Sequence, residues 1–225
     1  MKQKSIFFLM TCFFAVSGQA QWSWGVEGGA VFSKAKTNAS YPGAEIQLTS
    51  NTLPGFQSGL IVDIPFGDEK LRMMPEILYN QQGVSQHATG SLLGQSLTVD
   101  QRITVGYVTA IANLAVALPV GDQKFILGVG PYVGAGLTAK RWYKLTPGPN
   151  SSLSASDNTA SIDFGSAANQ MKRLDYGINV MGGFMLFNGL AIKASYGYGL
   201  PELFNDASVS YKNRHFTIGL AYFFH

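Results

Sequence analysis

From Trp22 onward the chain repeats one pattern eight times: about ten to thirteen residues in which bulky apolar side chains alternate with small or polar ones. Alternation with a period of two marks a strand whose two faces meet different surroundings. The connecting segments fall at Lys36–Leu53, Gly67–Glu69, Val84–Ser96, Pro119–Gln123, Trp142–Lys172, Asn188–Gly189 and Pro201–Ser210. They alternate long and short, so consecutive strands must run antiparallel, with every tight turn at one end. Eight such strands predict an all-β fold, an antiparallel up-and-down barrel with long loops at one rim.

The residues opposite the bulky face indicate which side looks inward. In Phe125–Leu137 the even positions carry Gly128, Gly130, Gly134 and Gly136 around Tyr132, while Phe125, Leu127, Val129, Val133 and Leu137 take the other face. Leu190, Ile192, Ala194, Tyr196, Tyr198 and Leu200 oppose Lys193, Ser195, Gly197 and Gly199, and Phe216, Ile218, Leu220, Tyr222 and Phe224 oppose Thr217, Gly219 and Ala221. The interior of an eight-stranded barrel has room only for side chains. The near-bald face therefore belongs inside, and the bulky face meets hydrocarbon. A soluble ligand-carrying barrel would reverse this, with an apolar lumen and a polar exterior. The glycines also loosely suggest a nucleotide-binding turn, but no helical period follows them.

Strand length and aromatic placement agree with a membrane. A tilted spanning strand needs about 9–11 residues. Trp22, Trp24, Phe66, Phe125, Phe187, Tyr222 and Phe224 fall near the short-turn ends, and Tyr79, Trp142, Tyr143, Tyr176, Tyr196 and Phe216 near the others. Two such belts suit two headgroup regions. Asn188-Gly189 is a type I′ hairpin signal, and Pro147-Gly148-Pro149-Asn150-Ser151-Ser152 reads as a mobile loop.

At the start, Lys2 and Lys4 precede the apolar run Ile6–Val16 and then Ser17-Gly18-Gln19-Ala20. This predicts a signal peptide over 1–20, cleaved after Ala20, with the barrel domain over 21–225. The sole cysteine, Cys12, lies in the leader, so the remainder offers neither a disulfide nor a thiolate. Without Lys2 and Lys4, the 16 basic residues become 14 against 13 acidic, a net charge of +1 that points to no nucleic-acid partner. The expected location is the bacterial outer membrane, with both termini periplasmic.

The parities direct Glu27, Asp63, Arg72, Glu76 and Lys193 into the lumen. Asp63 and Arg72 belong near the turns, and Glu27, Glu76 and Lys193 nearer mid-height. Opposite charges in so narrow a space are expected to pair, because an unpaired buried charge costs several kcal/mol. The residues predict a structural plug; a proton or ion pathway is the functional alternative. No spacing of His, Asp or Glu suggests a metal site, no cofactor is implied, and a wide water-filled channel needs about 16 strands.

Four segments carry a family likeness: Pro75-Glu76-Ile77-Leu78-Tyr79-Asn80-Gln81-Gln82-Gly83, Gly130-Pro131-Tyr132-Val133-Gly134-Ala135-Gly136, Ser195-Tyr196-Gly197-Tyr198-Gly199-Leu200 and Lys212-Asn213-Arg214-His215-Phe216-Thr217-Ile218-Gly219-Leu220. In their order and spacing they resemble the PorT-family outer-membrane β-barrel proteins of Bacteroidetes-type bacteria. The resemblance implies an outer-membrane barrel and, through the family's name, an association with type IX secretion. It carries over no catalytic residue. Where the family often has Tyr-Leu-Glu-Ile-Pro, Tyr107-Val108-Thr109-Ala110-Ile111-Ala112 lacks both acid and proline. The expected partners are outer-membrane lipid, the barrel-insertion machinery reading Tyr222-Phe223-Phe224, and an extracellular ligand or secretion-system protein at the loops.

Function is expected to be structural or loop-mediated, with a secretion or envelope-assembly accessory as the alternative. A lipid-modifying enzyme is the second alternative. Among three histidines, His87 falls in a long loop and His225 at the terminus. His215 opens the last strand at the rim, where Asp206 or Ser208 would approach it. His215 with Asp206 is the one pair worth testing as a catalytic site.

Overall fold

The computed structural model describes residues 22–38, 46–67, 70–92, 95–149, 154–167, 170–205 and 210–224. The proposed leader, His225, Asp206 and residues 150–152 of the Pro147–Ser152 segment lie outside them. Among the described residues there are ten strands: β1 (Ser23–Asn38), β2 (Ile46–Asn51), β3 (Leu53–Phe66), β4 (Leu71–Leu92), β5 (Gln95–Val120), β6 (Gln123–Pro147), β7 (Ser156–Ser161), β8 (Leu174–Met185), β9 (Leu190–Gly199) and β10 (Ser210–Phe224). Eight close a ring of antiparallel neighbours, in the order β1-β3-β4-β5-β6-β8-β9-β10 and back to β1. The two short strands, β2 and β7, extend the sheet against β4 and β6 at the long-loop end. Closure leaves the eight ring strands with no free edge in the band where water is absent, which a spanning sheet requires.

Facing follows the sequence alternation. Leu190, Ile192, Ile218 and Leu220 are 37%, 44%, 47% and 54% exposed, while Glu27 and Lys193 are buried. A continuous band of exposed Leu, Ile, Val, Phe and Tyr thus wraps the ring, far more apolar surface than a water-soluble monomer presents. Asn188 and Gly189 have φ of 57° and 79°, as a type I′ turn between β8 and β9 requires.

Two expectations about loops are corrected. Val84–Ser96 and much of Trp142–Lys172 are not loops: β4 and β5 remain paired up to Leu92 opposite Gln95, β6 follows β5 to Pro147, and β7 pairs with β6. The apolar alternation stops where hydrocarbon stops, but backbone pairing continues into water. The inside–outside pattern also breaks once. Gly106 pairs with Thr138 and Tyr107 with Gly136, so Leu137 has no partner. This bulge moves the inward face of β6 from even to odd positions, placing Ala139 inside.

Candidate functional site: a layered lumen

Among the described residues, buried side chains fill the lumen in successive layers. Nearest the short turns, Arg72 on β4 reaches back across the hairpin to Asp63 on β3, a two-pronged ion pair whose Nε–Oδ1 bond is 2.7 Å. Beside it an apolar floor packs Ile61, Met74, Ala115, Ala117, Ile126, Met181 and Phe223. A void of about 10 Å³ in this floor is scarcely one water's space.

Above the floor lies the ionic layer. Lys193 Nζ sits between two carboxylates, 2.5 Å from Glu27 Oε2 and 2.8 Å from Glu76 Oε1. Three amides complete the shell: Gln57 donates to Glu27 at 2.9 Å, Asn113 to Glu76 at 3.1 Å, and Asn179 to Asn113 at 3.0 Å. Hydrogen bonds matter here because ionisable groups buried this deeply are costly unless their remaining lone pairs and protons find partners. Farther up, Asn80 donates to Thr109 and accepts from Gln82, both at 3.1 Å.

The next level holds Asp175, Tyr132, Asn213, Tyr107 and His215. Asp175 Oδ2 accepts from Asn213 at 2.9 Å and from the Tyr132 hydroxyl at 3.3 Å. The His215 ring packs edge-on to Tyr132, with centroids 5.8 Å apart, and lies directly against Gly197, where a Cβ would strike it. His215 is therefore a buried lumen residue, not the solvated rim residue expected. Arg214 and Phe216 face out on either side of it, and strand parity turns it inward. Asp206 lies outside the described residues. His87 is corrected too: it stands on β4 opposite Asp100 of β5, its Nδ1 2.6 Å from Oδ1.

A lid closes the long-loop end. Ile162, Met171, Leu203 and Phe204 from two connections pack on Val84, Ile103, Val105, Tyr107 and Tyr211 of the wall. Phe164 packs against this cluster, with its ring over Gly136, where a side chain would collide. Backbone bonds from Lys172 N to Leu203 O (2.7 Å) and Leu203 N to Tyr211 O (3.0 Å) tie the lid to the barrel. Asn205 Nδ2 clamps the two connections together through the carbonyls of Gly165, Ala167 and Gln170 at 2.9–3.1 Å.

All five lumen charges named from sequence are thus inside, in two groups. Sequence reasoning missed Asp175 and the amides Gln57, Asn80, Asn113 and Asn179, which share the inward parity and were readable from it. It also missed the lid, whose residues follow no period. No group of three or more His, Cys, Asp or Glu suited to a metal occurs among the described residues.

Solved structures similar in fold include Ail, the attachment invasion locus protein of Yersinia pestis, at 14% identity and a TM-score of 0.40. That match covers 90% of this chain and 99% of the other. The outer membrane protein OprG of Pseudomonas aeruginosa matches at 13% identity and 0.35, covering 92% and 98%. Neisserial surface protein A matches at 14% and 0.35, covering 89% and 97%. Among curated proteins nothing matches. The family model described as outer membrane protein beta-barrel domain matches residues 17–205. The apolar outward band and polar filled lumen thus have their setting: the chain is an outer-membrane β-barrel in contact with membrane lipid, and it belongs to the outer membrane protein beta-barrel domain family.

Proposed function

We propose that this protein is a sealed, non-catalytic barrel that anchors an ordered platform on the cell surface, both termini lying in the periplasm. The observation that carries this reading is the lumen, where floor, ionic layer and lid stack buried side chains one layer on another. The raised strands β2, β4, β5, β6 and β7 form a sheet above the apolar band on one side, where a ligand, surface polysaccharide or partner protein would dock. Orientation is argued from the turns: short connections at one end and extended ones at the other are the periplasmic and extracellular pattern of spanning barrels.

Reconstitution in planar bilayers tests the sealed lumen. No stepwise conductance above the lipid background is expected, and a reproducible unit conductance in salt would overturn the reading. A lipid-modifying role is weakened by the burial of His215 beneath the lid, out of reach of an acyl chain. Turnover of lipid A or phospholipid by the wild type, lost in His215→Ala, would restore it.

The resemblance to PorT-family proteins favours a second reading, an accessory role in secretion or envelope assembly. Crosslinking in intact cells followed by purification separates the two. Recovery of secretion-complex proteins supports the accessory role, and their absence leaves the platform.

A further inference from the structure

On the outward face where β1 meets β10, the apolar band ends at a pair of opposed rings, Phe32 and Phe216. On the next outward rung Lys34 stands opposite Arg214, and Lys212 lies one outward rung beyond Arg214 on β10. Like charges placed directly across an antiparallel pair repel and cost stability. Among the described residues, the acid that pairs with this block is Glu202, 3.4 Å from Lys212. Arg214 is fixed in place: its guanidinium carbon lies 3.5 Å from the Tyr198 ring centroid, and its Nη1 donates to the carbonyls of Gly199 (2.6 Å) and Asn213 (2.8 Å).

We infer that this block is a binding site for the phosphate groups of a phosphorylated glycolipid in the outer leaflet, with Lys34, Lys212 and Arg214 as its cationic contacts. Height and charge carry the argument together. On β1 and β10 the cations begin one rung beyond the last outward rings, with Tyr198 of β9 beside Arg214, a level that suits headgroups rather than acyl chains or open water. A phosphate there turns cross-strand repulsion into shared attraction. Arg214 presents a planar, pre-oriented fork to it, while the lysines supply point charges. Phe216 and its β9 partner Tyr196, one rung below, offer the acyl chains an apolar wall. The assignment rests on the proposed orientation, which sets the block in the outer leaflet.

The test uses the full mature protein in detergent, titrated with bisphosphorylated lipid A, with its fully dephosphorylated form and with inorganic phosphate. Retained lipid is read by native mass spectrometry. Lipid A is expected to bind at least tenfold more tightly than the dephosphorylated form, with a preference that weakens as salt rises. The combined variant Lys34→Gln, Lys212→Gln, Arg214→Gln is expected to lose that preference, while Lys124→Gln at the opposite end keeps it. Arg214→Lys, which leaves the charge intact, provides a variant with little risk to folding and is expected to retain a reduced preference. Equal binding of both lipids by the wild type, an unchanged preference in the folded triple variant, or saturation by inorganic phosphate alone would overturn the assignment. Protease cleavage of a site inserted between Leu92 and Gln95, in intact cells, reads the orientation separately. Cleavage without lipid selectivity defeats only this inference, and protection from cleavage defeats the orientation beneath it.

Discussion

The middle of the lumen and its upper end are both closed to water, but by opposite chemistry. At mid-height the seal is ionic: Lys193 between Glu27 and Glu76, ringed by amides. At the long-loop end it is apolar, with Leu203, Phe204, Met171 and Ile162 folded onto Val84, Ile103, Val105 and Tyr107. The ionic layer is built wholly from strand side chains whose positions the closed ring dictates. The lid is built from the segments that follow β7 and β9, which hold their place by packing and a few backbone bonds. The first should resist everything except loss of charge balance; the second should yield locally and leave the barrel standing.

Charge removal at mid-height is the most severe way to break this contrast. Lys193→Ala leaves two carboxylates facing one another in a dry space and should cost about 3–5 kcal/mol. The cost would be read as a lower unfolding midpoint in guanidinium, or as loss of the heat-modifiable band in electrophoresis. Adding Glu27→Gln and Glu76→Gln to Lys193→Met should restore most of it, since neutral groups of similar shape carry no comparable desolvation cost. A triple variant no more stable than the single would mean that the layer matters for shape rather than for charge.

In the lid, Leu203→Ala should cost about 2–4 kcal/mol locally. Faster proteolysis within residues 162–171 and 203–211 is expected, with little change in the unfolding midpoint of the barrel. A midpoint that falls as far as in Lys193→Ala would show that lid and barrel unfold as one unit.

Between the two layers, Gly197→Ala sets a methyl against the His215 ring and should cost about 1–3 kcal/mol. His215→Ala made in the same chain should recover much of the loss, a coupling visible in a double-mutant cycle. The smallest effect is expected at the turn, where Gly189→Ala puts a Cβ at φ 79° and against the Phe223 carbonyl oxygen. It should cost about 1–2 kcal/mol and serves as a reference far from both layers.

The contrast also explains what the amino-acid sequence made legible. Facing at Ile192, Lys193, Ile218 and Glu27 was readable because a closed sheet between hydrocarbon and a narrow lumen obeys a period of two. The pairing of Lys193 with Glu27 and Glu76 followed from parity plus the rule that buried charges seek partners. His215 was misjudged because its distance from the chain turn suggested a rim, while its parity, the stronger signal, placed it inside. The extension of β4 and β5 was illegible for another reason. Above the apolar band Ser85–Gly90 and Leu97–Arg102 show no contrast between an apolar and a polar face and read as loop. Ile162, Leu203 and Phe204 gave no signal because a loop residue's burial depends on what folds over it, which no local period encodes. Leu137 shows a third limit: a single bulge shifts the register, and the glycines beside it, Gly106 and Gly136, do not stand out among the many glycines of these strands.

The most direct test of the account is nuclear magnetic resonance of methyl groups in detergent-solubilised protein, with two relaxation agents used in turn, a nitroxide carried on a lipid chain and a water-soluble gadolinium chelate. The methyls of Leu190, Ile192, Ile218 and Leu220 should broaden with the lipid-borne agent, while those of Val31, Ile61, Leu78 and Ile111 should be spared by both. Broadening of that second set by the aqueous chelate would mean an open lumen, and broadening of the first set by the chelate instead of the lipid agent would mean that the outward face is not in hydrocarbon.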